Sequence, residues 1–464
     1  MLLEDKSKIL SLTALERVGP KGYLRYVFPF ELPENYDMAE VARVLQSGYN
    51  GLIQKIAVVG CEAVPDNTTK QAGVMMLQVL GEDEQQLVVK DLRAPGAFCM
   101  SYAELKAKNF PVSAFDGELL LRRSVWPSPG EELPISLVQA NFVQGGLILT
   151  WCILHMVGDG NTFFTWTKVW AEECRRAGGD EIAKPLKLDP AIFSDRKLVM
   201  RSTGRHPGRL SDHPEYTLIP FTPQGAPPKM LSQDHRGQVF YFSPASLAAL
   251  KAEASPVKAS RAHRQKWIST NDALSALLWR TVMAVQSPLD SLEGDPVSVF
   301  NIAIDGRLRT DPPVHPNTLG CFLEYVAVSA PIRQILSSLS LADLAGMVRK
   351  AILRAGKHFT GDVVTIIDGL EDVDRLVPTA FLDVPGNHCV QSSWANFELY
   401  GLDWGSGLGM IQSVRCPEVG VINGLQVALP TLPDGGMEIL VGVETEALDR
   451  LLHEPLWTRF AEAR

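Results

Sequence analysis

The sequence predicts an α/β protein of two domains, and three observations carry that reading. Segments with strand and helix patterning alternate through both halves of the chain, the arrangement that packs helices against sheets. At 464 residues the chain is too long for one hydrophobic core of ordinary size. Its composition also breaks in the middle, where residues 196–236 are rich in Pro, Arg, His and Ser and hold little periodicity. That stretch reads as a partly exposed crossover loop between an N-terminal domain of residues 1–195 and a C-terminal domain of residues 237–464.

In the N-terminal half, residues 26–30 read as a strand. Residues 38–52 carry Met38, Val41, Ala42, Leu45, Tyr49 and Leu52 at helical spacing, which predicts an amphipathic helix. Residues 74–79 and 86–90 suggest a hairpin around Gly81-Glu82-Asp83, and 102–108 a short helix before Asn109-Phe110-Pro111. Strands over 138–142 and 146–155 meet at Gln144-Gly145-Gly146. A helix over 162–177 follows, apolar at Phe163, Phe164, Trp166, Val169, Trp170 and Cys174. In the C-terminal half, a strand over 238–242 precedes a helix over 243–252 with Pro244 in its first turn. Ser269-Thr270-Asn271-Asp272 matches a capping box that opens a long apolar helix over 273–285. A strand over 297–304 ends in Asp305-Gly306-Arg307-Leu308-Arg309. A helix over 341–357, a strand over 436–443 and a helix over 446–453 complete the pattern, and no internal repeat is visible.

The stretch 145–161, GGLILTWCILHMVGDGN, concentrates the chemistry. From Leu147 to Leu154 it holds almost no polar side chain, the composition of a strand buried on both faces. His155, Asp159 and Gly160 follow at its end. An imidazole delivered to a turn by such a strand has little water around it, which keeps it neutral near pH 7 and able to take a proton. Asp159 is placed to orient the loop or the ring, and Gly160 permits a tight backbone. Read alone, one HxxxD is equally a structural histidine at a strand end.

Composition sets the class. Apolar residues at 46% and charged residues at 21% are those of a soluble globular protein. A net charge of −9 argues against a general nucleic-acid surface, which needs a basic face, while leaving room for a local basic mouth. The cysteines Cys61, Cys99, Cys152, Cys174, Cys321, Cys389 and Cys416 are odd in number and form no CxxC pair, so reduced thiols are expected and no metal site. MLLEDKSKIL lacks the long apolar core of a signal peptide, and no run approaches the roughly 18 apolar residues of a spanning helix. The expectation is a cytoplasmic protein with neither a membrane nor a nucleic-acid partner.

Several motifs then stand in a fixed order. Phe142 with Gly145-Gly146, and His155-Met156-Val157-Gly158-Asp159-Gly160, fill an FxxGG and an HxxxDG pattern. Asn271-Asp272-Ala273-Leu274 with Trp279-Arg280 comes next, then Asp305-Gly306-Arg307-Leu308-Arg309 and Gly320. Ser393-Trp394, Asp403-Trp404-Gly405-Ser406-Gly407 and Gly436-Met437-Glu438-Ile439 close the series. Through these residues, across nearly its whole length, the chain resembles the BAHD-type acyl-CoA-dependent acyltransferases. It is more similar still to their fungal secondary-metabolite, trichothecene acetyltransferase-like branch.

The resemblance implies two chloramphenicol-acetyltransferase-like domains with a solvent channel between them, residues 405–430 packing with the N-terminal sheet. It implies an acyl-CoA donor, acetyl-CoA in the fungal branch, a small hydroxylated metabolite as acceptor, no permanently bound cofactor, and a monomer. His155, Asp159 and Trp394 are its catalytic residues. His155 is implied as the general base that takes the acceptor's proton as its oxygen attacks the thioester, with no acyl-enzyme. Asp159 is implied to pair with Arg307 and, with Gly160, to hold the histidine turn. Where the family adds a Gly-Asn support, this chain has Gly320-Cys321, and a thiol is a poor donor. Trp394, with Ser392 or Ser393 beside it in the substrate pocket, lines the site near the reacting carbonyl. Its indole N–H suits an oxyanion there, and a plain wall residue is the other reading. In Asp403-Trp404-Gly405-Ser406-Gly407 tryptophan takes the Phe place and Ser406 the Trp place of the family's DFGWG. Asp403 and Gly405 remain as structural support away from the chemistry. For the donor, Ser269 and Thr270 at a helix N-terminus and Arg264 and Lys266 in the basic loop before it, with Arg261, are the candidate contacts. Capping and a solvated loop are the plain alternatives.

Three rivals share the fold. A peptide-synthetase condensation domain usually carries two adjacent histidines, and here Leu154 precedes His155. A non-catalytic binding protein is expected to have lost the histidine. An enzyme that uses the same base for cyclisation, or for N-acylation, differs only in what it consumes.

Overall fold

The computed structural model describes residues 10–81, 85–181, 184–227, 229, 234–383, 386–417 and 422–464. Two main sheets organise it, each with its own apolar core. The N-terminal sheet has four strands in the order Tyr23–Glu31, Gly146–Leu154, Ser136–Val143 and Val88–Asp91. Its centre is the Gly146–Leu154 strand, whose nine residues are all buried. That strand is flanked antiparallel on both sides, from Tyr23 opposite Leu154 to Glu31 opposite Gly146 on one edge. The helices Met38–Lys55 and Gly160–Ala177 cover one face of this sheet, where Trp151 packs edge-on against Trp170 with centroids 4.9 Å apart. A second small sheet joins Leu10–Ser11, Met75–Val79, Cys61–Pro65 and Leu133–Pro134.

The C-terminal sheet has seven strands, in the order Leu323–Pro331, Val297–Asp305, Cys389–Ser393, Leu425–Ala428, Met437–Glu444, His235–Phe242 and Glu462–Ala463. The helix Thr270–Gln286 is buried along its length in the core of this half, with Ala273, Leu274, Leu277, Leu278 and Trp279 at 0% exposure. The two cores exchange elements. Trp394, Leu399, Trp404, Leu408, Ile411 and Val414 belong to the N-terminal core although they come late in the chain. There the backbone of Arg415 exchanges two hydrogen bonds with Val27, at 2.9 and 3.0 Å, and Gln412 N–H donates to Pro29, so this segment runs along the outer edge of the N-terminal sheet.

Two expectations are corrected. Glu82 and Asp83 of the expected hairpin turn lie outside the described residues, but the flanking strands do not pair. Met75–Val79 pairs with Cys61–Pro65 in the small sheet, whereas Val88–Asp91 runs parallel to Ser136–Val143 in the main one. Alternating apolar residues specify a buried face, not a partner. The stretch read as a crossover loop is also more structured than its composition suggests. It starts inside the helical turn Asp195–Val199 and holds another at Leu210–Asp212, with a strand Tyr216–Leu218 paired with Leu376–Pro378. Within it, His213 and Glu215 are buried together: His213 lies 2.9 Å from Glu215 and 2.7 Å from Asp362. Among the described residues no helix is long and apolar enough to cross a membrane. None of their His, Cys, Asp and Glu side chains form a group able to hold a metal ion.

Candidate active site

The Gly146–Leu154 strand delivers His155 into a single 3-10 turn, His155–Val157, and Asp159 then caps the Gly160–Ala177 helix. The backbone is pinned at the strand end: Leu154 N–H donates to Ile135 and His155 N–H to Gly22, both at 2.9 Å. The ring is pinned too. Nδ1 of His155 lies 2.9 Å from the Gly158 carbonyl oxygen. A carbonyl only accepts, so Nδ1 carries the hydrogen and Nε2 keeps its lone pair. Burial pushes the pKa of this histidine below its ordinary 6.5, against smaller opposing contributions from the hydrogen bond to Gly158 and the charge of Asp159. The ring is therefore neutral, with a fixed tautomer and a basic nitrogen on the side away from its own turn.

Asp159 points away from that ring. Its Oδ2 and Oδ1 receive Arg307 Nη1 and Nη2 at 2.6 and 3.1 Å. Its Oδ1 also caps the helix by accepting Thr162 N–H at 3.1 Å, and Oδ2 accepts Phe322 N–H at 2.8 Å. Arg307 is itself 2% exposed. Beyond Asp159 it donates from Nε to Thr318 O at 2.7 Å, from Nη1 to Asp305 Oδ1 at 3.0 Å, and from Nη2 to Gly320 O and Thr162 Oγ1. All five guanidinium hydrogens thus have acceptors, the condition under which a buried ion pair is tolerated. The Phe322 ring lies 4.4 Å beneath the guanidinium.

The pair joins the two halves of the chain. The Asp305-Gly306-Arg307 turn ends the Val297–Asp305 strand, and Thr318–Phe322 leads into Leu323–Pro331. Beside Cys321, where the resemblance implies an amide, Phe322 N–H donates to Asp159 from the backbone. Burial raises the Cys321 thiol far above its ordinary range. Thr162 and Phe322 were missed in the sequence. An Asp-x-x-Thr cap signal was available for Thr162, but no side-chain pattern marks a backbone N–H.

Trp394 follows the Cys389–Ser393 strand and enters the site from the C-terminal half. It is 6% exposed, its ring centroid 5.2 Å from that of Tyr26, and its backbone N–H donates to Ala428 O. Gly160 shows how closely the halves meet. A Cβ there would stand 2.6 Å from Phe397 and 3.7 Å from Cδ1 of Trp394, so the residue after Asp159 has no room for a side chain. Asn161 Nδ2 adds a bond to Pro316 O at 2.8 Å. Ser392 is half-buried and Ser393 exposed.

The remaining candidates lie apart from the histidine. Asp403 Oδ1 accepts Gly405 N–H, and its Oδ2 lies 3.4 Å from Arg175, at the end of the Gly160–Ala177 helix opposite to Asp159, in an 18-residue helix about 27 Å long. Gly405 has φ +104 there, and Trp404 fills the N-terminal core between Phe30 and Trp170. Ser269 forms the capping box of the Thr270–Gln286 helix with Asp272, so its hydroxyl and N–H are both occupied. That first turn is tied to the strand leading to Trp394: Gln391 donates to Asn271 Oδ1 at 3.3 Å and accepts from Ser275 Oγ at 2.5 Å. Arg264 donates to Ala259 O at 3.1 Å, and Arg264 and Lys266 are exposed.

Residues 104–455 match the model described as Transferase family, and residues 23–170 match the trichothecene 3-O-acetyltransferase-like N-terminal domain. The chain belongs to the transferase family. Its resemblance to the fungal BAHD-type acyltransferases holds, and it is an acyltransferase. It is 26% identical over 447 residues to trichothecene 3-O-acetyltransferase TRI101 of Fusarium sporotrichioides, covering 94% of this chain and 92% of that one. The enoyl-CoA isomerase/hydratase claC of Penicillium crustosum is 25% identical over 456 residues, which are 96% of this chain but 50% of its own, so the chain spans half of that relative. The fold of this transferase superposes on F. graminearum TRI101 complexed with coenzyme A and deoxynivalenol at a TM-score of 0.84 and 23% identity, over 98% of this chain and 100% of that one. The two-domain α/β architecture expected from the motifs is therefore the one observed.

Proposed function

We propose that this transferase moves an acetyl group from acetyl-CoA to a hydroxyl of a small secondary metabolite, with His155 as general base and without an acyl-enzyme. The observation that carries the reading is the fixed tautomer of His155, Nδ1–H held by the Gly158 carbonyl and Nε2 free to accept. The acceptor's O–H gives its proton to Nε2 as the oxygen bonds to the thioester carbonyl carbon. The resulting oxyanion collapses, the C–S bond breaks, and the imidazolium returns the proton to the departing thiolate. In this reading Trp394, whose indole N–H is a donor without acceptor character, meets the oxyanion. Asp159 and Arg307 position the turn and carry no proton. The TRI101 relatives, one bound to coenzyme A and a trichothecene, support both substrate classes. Under this reading the enzyme is a cytoplasmic monomer divided at residues 1–195 and 237–464, and it engages neither nucleic acid nor membrane.

The test is consumption of acetyl-CoA by the purified protein against a panel of hydroxylated terpenoid, polyketide and alkaloid acceptors. Acetyl ester formation that requires His155 is expected. Ester formation unchanged in His155→Ala, or a product formed without thioester consumption, overturns the mechanism.

A further inference from the structure

Trp267 is a surface feature that the site so far leaves unexplained. It is 56% exposed, the one tryptophan among the large apolar side chains open to solvent in the described residues. Its ring is nevertheless held. The guanidinium carbon of Arg349 lies 4.2 Å from the ring centroid. Arg349 in turn donates through Nε at 2.8 Å, and through Nη2, to Oδ2 of Asp272, a carboxylate at 0% exposure inside the capping box. The indole is thus backed by a cation that a buried anion keeps in place, while over half of its surface stays open.

The charged side chains of the loop that carries it have one sign. Residues 255–271 contain Lys258, Arg261, Arg264 and Lys266 and no aspartate or glutamate, in a chain of net charge −9. Lys258 reaches Glu253 at 3.4 Å. Arg261, Arg264 and Lys266 have no carboxylate partner among the described residues, and Arg264 spends one N–H on Ala259 O. A rigid open aromatic face beside unneutralised cations fits a ligand that combines a planar base with phosphates. The position also suits a long ligand. The helix turn that holds Asp272 is bonded to Gln391, and about 10 Å of extended strand separates Gln391 from Trp394.

We propose that Trp267, backed by Arg349, is the stacking platform for the purine base of the acyl donor, with Arg261, Arg264 and Lys266 around its phosphates. This rests on the acyl-CoA reading above and assigns the platform to residues outside the helix cap.

The experiment titrates wild type, Trp267→Phe and Trp267→Ala with coenzyme A and with pantetheine, which lacks the nucleotide, following heat and intrinsic fluorescence. Trp267→Ala is expected to raise the Kd for coenzyme A about tenfold, the size of one base–aromatic stack. Trp267→Phe should keep most of the affinity but lose the fluorescence quenching that stacking on Trp267 produces. Pantetheine should bind all three alike. Wild-type affinity for coenzyme A in Trp267→Ala, or equal losses for coenzyme A and pantetheine, overturns the platform and leaves the donor reading standing. A wild-type protein that binds pantetheine-bearing thiols no better than buffer controls, coenzyme A included, overturns the donor reading and the platform with it.

Discussion

The two ends of the Gly160–Ala177 helix are held by different segments of the chain, and in opposite ways. At its N-terminus a buried carboxylate, Asp159, meets a guanidinium with every hydrogen bonded, supplied by the other half of the molecule. At its C-terminal end the charged pair, Arg175 with Asp403, is partly exposed, and the attachment is made by Trp404 wedged between Phe30 and Trp170. One end depends on charge and the other on packing. The proposed mechanism puts the chemistry at the charged end, where a saturated ion pair fixes orientation, whereas an aromatic wedge fixes only separation. A histidine that must present Nε2 in one direction needs the former.

The largest expected effect breaks the chemical end without touching its scaffold. His155→Ala removes a side chain whose one bond is to Gly158 in its own turn. Turnover should fall by roughly 100- to 10,000-fold, the usual share of general-base catalysis, while the melting temperature stays close to that of wild type. In the intact enzyme the acid limb of the kcat/KM profile should lie below pH 6.5, because burial lowers the pKa of this imidazole. A limb above 6.5 contradicts the neutral, desolvated ring.

Next in size is the anchor. Arg307→Ala leaves Asp159 buried without its partner and should cost about 3–5 kcal/mol, seen as a lower denaturation midpoint and a lower soluble yield. Asp159→Asn should resemble it in stability. If either variant folds as stably as wild type yet loses activity as completely as His155→Ala, Asp159 acts on the proton and not on the turn.

How much of this contrast was legible beforehand follows from what each end is made of. The buried strand and its histidine were readable because an unbroken apolar run has one plausible environment. The pairing of Asp159 with Arg307 came from resemblance alone, since a sequence separation of 148 leaves no local signal. Phe322 N–H, the Gly158 carbonyl and the Gly22 carbonyl are backbone groups, and side-chain patterns do not encode them. Phe397 against Gly160 was invisible for a similar reason: the glycine was readable, but not the ring that excludes a side chain there. The false hairpin at residues 74–90 shows the converse, a local pattern that tertiary pairing overrode.

A third test concerns the strand that follows the anchor. Glu324 on Leu323–Pro331 is fully buried against Thr360 and Gly306, with Arg309, His213 and Glu215 nearby. Burial raises its pKa from 4.5 to about 7. The folded protein therefore holds a proton that the unfolded chain has already released above pH 4.5. Stability from this group falls as pH rises from 4.5 to about 7 and levels off beyond, by roughly 3 kcal/mol in all. Glu324→Gln should remove that slope, gaining on wild type as pH rises from 4.5 to about 7 in paired denaturation curves. Parallel curves for the two proteins would show the carboxyl to be ionised throughout.

The smallest effect sharpens the comparison most directly. Arg175→Ala deletes the charged contact at the packed end of the helix, a pair 3.4 Å apart with side chains 28% and 53% exposed. Solvent screens such a pair, and its loss should cost no more than about 1 kcal/mol. Trp404 and the aromatic contacts around it stay in place, so turnover and KM should match wild type. The informative measurement is the pair of denaturation midpoints for Arg175→Ala and Arg307→Ala taken under one set of conditions. A wide gap means that charge anchors only the catalytic end. Equal losses would mean that Arg175 and Asp403 hold the helix as firmly as Asp159 and Arg307 do, and the assignment of packing to one end and electrostatics to the other would fail.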